Sequence, residues 1–156
     1  MGAVITPNEL FEKMKEAKLD LIDVLSYAEY RGDGEADIQE DWTDPQGLFM
    51  KDMLLTMLRH ADALATDITY LENGTLPPEF LKKGGDGLYM SSIRTYHSGS
   101  TIEYLEKNSM QHTDPDGNPV AFWKLSRIEY SHDLNDYCIV GHDGPIEGLT
   151  IRERRE

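Results

Sequence analysis

The sequence predicts an α+β fold, in which an N-terminal antiparallel helical hairpin packs on one face of a C-terminal antiparallel sheet of about four or five strands. Two observations support this prediction. In two segments of the first half, apolar residues recur at alternating spacings of four and three residues, as they do along one face of a helix. The second half holds short runs of β-branched and aromatic residues between turn-forming residues, as an antiparallel sheet does.

The longer helical segment runs from Asp44 to Gly74. Asp44 and Pro45 suit its start as capping residue and first helical residue, and Gly74 suits its end in a left-handed conformation. We expect its apolar stripe to be part of the core. The stripe consists of Met50, Leu54, Met57, Ala61, Leu64, Ile68 and Leu71.

A shorter helix is predicted to begin at Thr6, where Thr6 and Glu9 have the spacing of a capping box. Two helices with matching apolar stripes usually bury them against each other, so we predict an antiparallel hairpin. The stripe of the shorter helix consists of Leu10, Met14, Ala17, Leu21, Val24 and Ala28.

The second half is predicted to form the sheet as an antiparallel meander, because short strands are joined by tight turns. The whole chain 1–156 is predicted to be a single domain. We place the helical layer at about 6–83, including one turn within 75–83, and the sheet layer at about 86–156. The segment 101–107 is compatible with a strand or a short helix. The other predicted strands are 88–96, 120–125 with a continuation to 130, 136–140 and 149–154, with a hairpin turn at 113–118.

The charge balance limits the classes of partner. Fifteen Lys and Arg face 29 Asp and Glu, giving a net charge of −14. Nucleic-acid binding relies on cationic side chains, so we expect no direct contact with nucleic acid. The same acidity favours encounter with a basic protein surface, for example on a nucleic-acid-binding protein.

Membrane association is not expected. No run of apolar residues is long enough for a bilayer, and the N-terminus lacks the pattern of a secretory signal. Met1-Gly2 followed by Thr6 fits a loose myristoylation pattern, but no basic patch is present to support a single acyl chain. Cys138 is the only cysteine and lies in an apolar run, which predicts a buried, inert thiol and a reducing, cytoplasmic location.

The segment between the helices, Arg31 to Gly47, is the candidate binding site. A large aromatic residue among carboxylates suits a basic partner, since the charges steer the encounter and the ring anchors the complex. The alternative is that Trp42 pins the segment to the two helices. The predicted binding residues are Asp33, Glu35, Asp37, Glu40, Asp41, Trp42 and Asp44.

A metal site is the competing hypothesis. His97, His112, His132 and His142 lie near predicted turns. Two of them directly precede an aspartate and His112 lies two residues before one, but none has the spacing of a zinc motif. Asp114 to Asn118 imitates the start of a calcium loop, although a hairpin turn explains the same residues. We therefore predict no metal, no cofactor and no catalytic residue, and favour a non-enzymatic function.

The functional expectation is a small acidic cytoplasmic protein-binding module that masks a basic surface on its partner. Inhibitors, immunity proteins and nucleic-acid mimics belong to this class. One alternative is a metal-dependent enzyme that uses the His and Asp residues on the turns of the sheet half. Another is a structural or assembly subunit that associates through its helical seam, for which a homodimer is the simplest form. The sequence leaves the oligomeric state open.

Overall fold

The computed structural model describes residues 4–155 and shows, within them, two helices followed by seven strands. The chain divides into two compact units, a helical unit up to Asn73 and a sheet unit from Gly74 onward. The α+β class, the helical hairpin and the five-stranded antiparallel sheet are confirmed. The single domain and the packing of the hairpin on the sheet stay predictions. Met1 and Gly2, where the acylation pattern begins, lie outside the described residues.

The first helix, α1, spans Pro7–Tyr27 and begins with the predicted capping box. The Thr6 hydroxyl accepts a hydrogen bond from the Glu9 amide at 3.1 Å, and the Glu9 carboxylate accepts one from the Thr6 amide at 3.2 Å. These two bonds satisfy amides at the start of the helix that have no intrahelical partner. The start of α1 is therefore fixed by local sequence.

The second helix, α2, spans Pro45–Glu72, and Asp44 caps it as predicted, accepting a hydrogen bond from the Gln46 amide at 3.1 Å. The prediction of a left-handed Gly74 at its end is wrong. Asn73 closes the helix in an extended conformation, and its amide donates to the Thr69 carbonyl. Gly74 instead lies against the Arg155 side chain, since a Cβ there would lie 3.3 Å from Cδ of Arg155.

The two helices pack against each other as an antiparallel pair. Lys18, near the middle of α1, reaches the last turn of α2. Its Nζ lies 3.2 Å from Oγ1 of Thr69 and also contacts the Glu72 carboxylate.

The prediction that the apolar stripe of α2 is core is wrong for most of its length. The buried residues of α2 are Leu58, Ala65 and Ile68, and only Ile68 belongs to the predicted stripe. By contrast, Met57 is 58% exposed and Leu64 is 37% exposed. Apolar side chains cover so much of this helix that their period does not decide which stripe faces α1.

A pair of alanine substitutions on α2 distinguishes the two stripes. We expect Leu58→Ala to lower the free energy of unfolding of the helical unit by about 2–3 kcal/mol, because Leu58 is buried and its removal leaves a cavity. Leu64→Ala should cost less than about 1 kcal/mol, because the exposed side chain leaves no cavity. Chemical denaturation followed by helical circular dichroism measures both. Equal losses would show that the stripes are equally buried.

The sheet unit contains seven strands within the described residues. They are β1 Glu79–Phe80, β2 Lys82–Lys83, β3 Tyr89–Met90, β4 Thr101–Glu106, β5 Phe122–Ser131, β6 Asp136–Ile139 and β7 Thr150–Arg152. Five form one antiparallel sheet in the order β1-β7-β4-β5-β6, and β2 pairs with β3 separately. The predicted meander therefore holds for β4, β5 and β6, whereas β7 returns to lie between β1 and β4.

Four local predictions are resolved in this unit. The segment 101–107, left open between strand and helix, forms β4. The helical turn predicted within 75–83 is wrong, because this segment contributes β1 and β2, and the preceding prolines favour extended backbone. The strand predicted over 88–96 is only two residues long, as β3. The hairpin turn at 113–118 is confirmed, with Gly117 at φ +85°.

The core of the sheet unit is built from aromatic and β-branched residues on one side of the strands. Tyr104 of β4 and Ile151 of β7 are register partners and both are fully buried. The other buried members are Leu81, Tyr89, Tyr96, Ile102, Ile128, Ile139 and Ile146. Cys138 of β6 is half-buried, so the prediction of a buried thiol is only partly met.

Candidate functional site

The carboxylates of the segment between the helices are mostly engaged in local structure. Asp44 caps α2, and Asp41 accepts hydrogen bonds from the amide and the hydroxyl of Thr43 at 2.9 and 2.7 Å. The amide of Glu35 donates to Asp33 at 3.0 Å. These contacts shape the turns of the segment.

Two further carboxylates form ion pairs. Asp37 lies 3.1 Å from the Arg31 guanidinium, and Glu40 lies 3.1 Å from Nζ of Lys51. Within residues 4–155, the Glu35 side chain has no hydrogen bond or ion pair. The segment 31–47 itself holds six acids and one base, so its net charge stays negative.

Two of these carboxylates are held in the charged form. Hydrogen bonding to Glu29 and Arg31 lowers the pKa of Asp37. The bonds from Thr43 lower the pKa of Asp41. An aspartate is already charged at neutral pH, and the lower pKa values extend the charged form of these two carboxylates to more acidic pH.

Trp42 projects from this acidic surface. Its side chain is 80% exposed, so the alternative in which it pins the segment to the helices is wrong. An exposed tryptophan among carboxylates has the composition of an interface anchor, because a large ring supplies contact area with few rotatable bonds. The structure therefore presents the seven predicted residues Asp33, Glu35, Asp37, Glu40, Asp41, Trp42 and Asp44 on one short stretch of chain, with Trp42 free to contact a partner.

The histidines of the sheet unit do not form a shared site. His112 packs edge-on against Phe122, and His132 against Tyr130. In the described part of the chain, no three His, Cys, Asp or Glu side chains group together as metal ligands. The Asp114 turn is a hairpin turn, in which the Asp114 carboxylate accepts from the amides of Asp116 and Asn118 at 2.9 Å each.

His142 has a partner that the sequence did not reveal. Its Nδ1 lies 3.2 Å from Oε2 of Glu106, and both side chains are largely buried. The imidazole also packs edge-on against Tyr104 at a centroid distance of 5.3 Å. Glu106 and His142 are far apart in sequence, so no local motif signals this pair.

The pKa of Glu106 reflects two opposing effects. Burial raises it, but hydrogen bonds from His142 and from the Asn108 backbone amide outweigh burial and hold the pKa below its usual value of 4.5. A carboxyl with a lowered pKa stabilises the folded state above pH 4.5, and this stabilisation is lost as the pH falls through the folded-state pKa.

We therefore expect Glu106→Gln to destabilise the protein at pH 7 and to differ less from the original chain at acidic pH. The reason is that protonation of Glu106 at low pH removes the same favourable charge as the substitution does. Chemical denaturation at several values between about pH 3 and pH 7 measures the difference. Asp133→Asn, at an exposed acid, is the control, and a Glu106→Gln deficit independent of pH would contradict the expectation.

Two further carboxylates of the sheet unit are buried with arginine partners. Glu103 of β4 accepts hydrogen bonds from Nε of Arg152 at 2.8 Å and Nε of Arg154 at 2.6 Å. Glu153 pairs with Nε of Arg94 at 3.0 Å and also contacts the Tyr96 hydroxyl. Sequence reasoning missed both clusters, since strand alternation alone does not show which charged residues lose contact with water.

No helix within residues 4–155 is long and apolar enough to cross a membrane. Comparisons of the chain with protein-family models, with curated proteins and with solved structures gave no match. Function is therefore inferred from the residues of this chain alone.

Proposed function

We propose that this protein is a small binding module that masks a basic surface on a partner protein through its acidic segment, Arg31 to Gly47. The observation that supports the proposal best is Trp42, which is 80% exposed and lies in a segment that also holds six carboxylates. The partner class includes nucleic-acid-binding proteins, whose basic surfaces suit an inhibitor, an immunity protein or a nucleic-acid mimic. Direct binding of nucleic acid is disfavoured by the charge of −14.

The two kinds of residue in the segment are expected to act at different stages of binding. Carboxylates attract a basic partner over a distance and raise the association rate, an effect that salt weakens. Trp42 gains contact area only after docking and therefore slows dissociation. A single cysteine fits a reducing compartment, and we propose a cytoplasmic location on that basis.

A capture experiment identifies the partner. The full chain is immobilised beside two variants, Asp37→Asn/Glu40→Gln/Asp41→Asn and Trp42→Ala, and retained proteins are identified by mass spectrometry. The matched control Glu12→Gln/Glu16→Gln/Asp23→Asn removes three exposed carboxylates from α1 instead. A true partner is basic, is retained by the original chain and the control, and is lost from both variants of the segment.

Kinetics with the captured partner then separate the two roles. We expect Asp37→Asn/Glu40→Gln/Asp41→Asn to slow association about tenfold at low salt, with little effect on dissociation. Trp42→Ala should speed dissociation about 30-fold. Surface-based kinetics at two ionic strengths measure both. An association rate indifferent to salt and to the triple neutralisation would refute the role of the acidic segment.

The contacts of the histidines do not favour the metal-dependent enzyme. Its ligands would be His112, His132 and His142, and these contact three different aromatic residues, Phe122, Tyr130 and Tyr104. The assembly subunit stays a prediction. The apolar stripes of α1 and α2 through which it would associate are largely exposed.

A further inference from the structure

The helical hairpin exposes a second apolar surface, distinct from the acidic segment. It is formed by the exposed members of the two predicted stripes, whereas the other members, such as Ile68, are buried or half-buried. The exposed positions recur every seven residues on α1, at 10, 17 and 24, and on α2, at 50, 57, 64 and 71, with one more at 54. The exposed seam consists of Leu10, Ala17 and Val24 of α1 together with Met50, Leu54, Met57, Leu64 and Leu71 of α2.

The spacing of the exposed seam indicates the shape of its occupant. Apolar residues at alternating spacings of three and four are the pattern with which helices pack in coiled coils and bundles. Along α2 this pattern runs from Met50 to Leu71 without a charged residue at any of its positions. Met50 and Met57 add flexible side chains that adapt to a partner. A helix is therefore the complementary element.

An open groove lies along the exposed seam. It has a volume of about 450 Å³ and lies between α1 and α2. Val24 contributes from α1, and Leu54, Met57 and Leu64 contribute from α2. His60 is the one titratable residue among those that line it. A partner helix that filled the groove would bury side chains that are now exposed to water, which favours association.

Charge selects among helical occupants. The helical unit has 16 acidic and 6 basic side chains, so a second copy would bring like charge against like charge. The outer edges of the groove are acidic as well. Asp20 lies between Ala17 and Val24 on α1, and Asp67 lies between Leu64 and Leu71 on α2, both exposed. Lys13, one heptad before Asp20, is an exception near the end of the groove.

We propose that the groove between α1 and α2 binds an amphipathic helix of a partner protein, with apolar residues at heptad spacing and Lys or Arg on its flanks. The inference rests on the proposed function in taking the partner to be basic. It adds a second contact surface and a secondary structure for the bound segment. Such a helix lays its apolar side into the groove and directs its basic flanks toward Asp20 and Asp67.

The test uses two fluorescent synthetic peptides and the full chain. Both peptides contain about three heptads with leucine at the a and d positions, one with Lys and Arg flanks and the other with Glu flanks. Fluorescence anisotropy measures binding. We expect the basic peptide to bind with a Kd below about 100 µM and the acidic peptide at least tenfold more weakly. Failure of the basic peptide to bind, or equal binding of both peptides, overturns the proposal.

Adjacent substitutions on α2 locate the site. Leu64→Glu places a charge in the groove and should weaken binding of the basic peptide at least tenfold. Ala63→Glu, on the exposed face next to it, should leave binding unchanged. Far-ultraviolet circular dichroism confirms that both variants remain helical. Asp20→Asn/Asp67→Asn should weaken binding at low salt and have less effect at high salt. If Leu64→Glu and Ala63→Glu change the affinity for the basic peptide equally, the groove is not its binding site.

Two controls separate this inference from the proposed function. Trp42→Ala and the triple neutralisation of the acidic segment should leave peptide binding intact. If the peptide does not bind while capture of a basic partner still requires Trp42, the groove proposal fails and the proposed function stands. Sedimentation velocity of the full chain tests the other occupant, since a dimer that Leu64→Glu converts to monomer would show that a second copy fills the groove.

Discussion

Tyr104→Ala is expected to lower the free energy of unfolding of the sheet unit by roughly 3–5 kcal/mol. Tyr104 is fully buried in β4, between β5 and β7, and contacts the His142 ring. Removing its ring deletes buried apolar surface and leaves a cavity that strands paired on both sides cannot easily close. Chemical denaturation, followed by near-ultraviolet circular dichroism of the aromatic residues, measures the loss.

Phe80→Ala is the matched control for this prediction. Phe80 also lies in a strand of the same sheet, but its side chain is 64% exposed. Its removal leaves no cavity, and we expect a change within about 1 kcal/mol. If the two substitutions destabilised the protein equally, the core would not be centred on Tyr104.

The second large effect is expected from the paired substitution Arg152→Met/Arg154→Met. Both arginines hydrogen-bond to Glu103, whose side chain is only 5% exposed. The guanidinium of Arg152 also stacks over the Trp123 ring at 4.4 Å. Removing the two cations leaves the carboxylate buried without this compensation, and breaking a buried ion pair from one side typically costs about 3–5 kcal/mol.

The control for this pair is Arg127→Met. Arg127 lies 3.1 Å from Glu129, but both side chains are well exposed to water. Exposed ion pairs contribute only about 0–1 kcal/mol, so this substitution should be nearly neutral. Denaturation at low and high salt measures both variants. A loss below about 1 kcal/mol for the Arg152/Arg154 variant would show that water reaches Glu103 easily.

The starts of the two helices could be predicted because their causes are local. Thr6 and Glu9 satisfy the first amides of α1, and Asp44 does the same for α2, whatever the rest of the chain does. The side of α2 that faces α1 could not be predicted in the same way. Leu58 and Leu64 both belong to apolar rows, and only the position of the other helix decides that Leu58 is buried.

The buried charges of the sheet unit depend even more strongly on contacts between distant parts of the chain, which the sequence does not show. Glu103 meets Arg152 and Arg154 because β4 and β7 are neighbours in the sheet, although some fifty residues separate them in sequence. Pairing between distant strands depends on the whole topology, and the prediction of a simple meander placed β7 elsewhere. The acidic segment was recognisable because its residues are contiguous, and only the exposure of Trp42 required the structure.

The position of β7 also constrains the order in which the sheet unit can fold during synthesis. β7 is the last strand of the unit to leave the ribosome, yet it lies between β1 and β4. The backbone amide of Arg155 donates to the Gly74 carbonyl, so the two ends of the unit meet. While the ribosome is still producing β4 to β6, β1 has no partner in the sheet. Pairing of β1 must wait until Arg152 has emerged, and the unit closes as one late, long-range step.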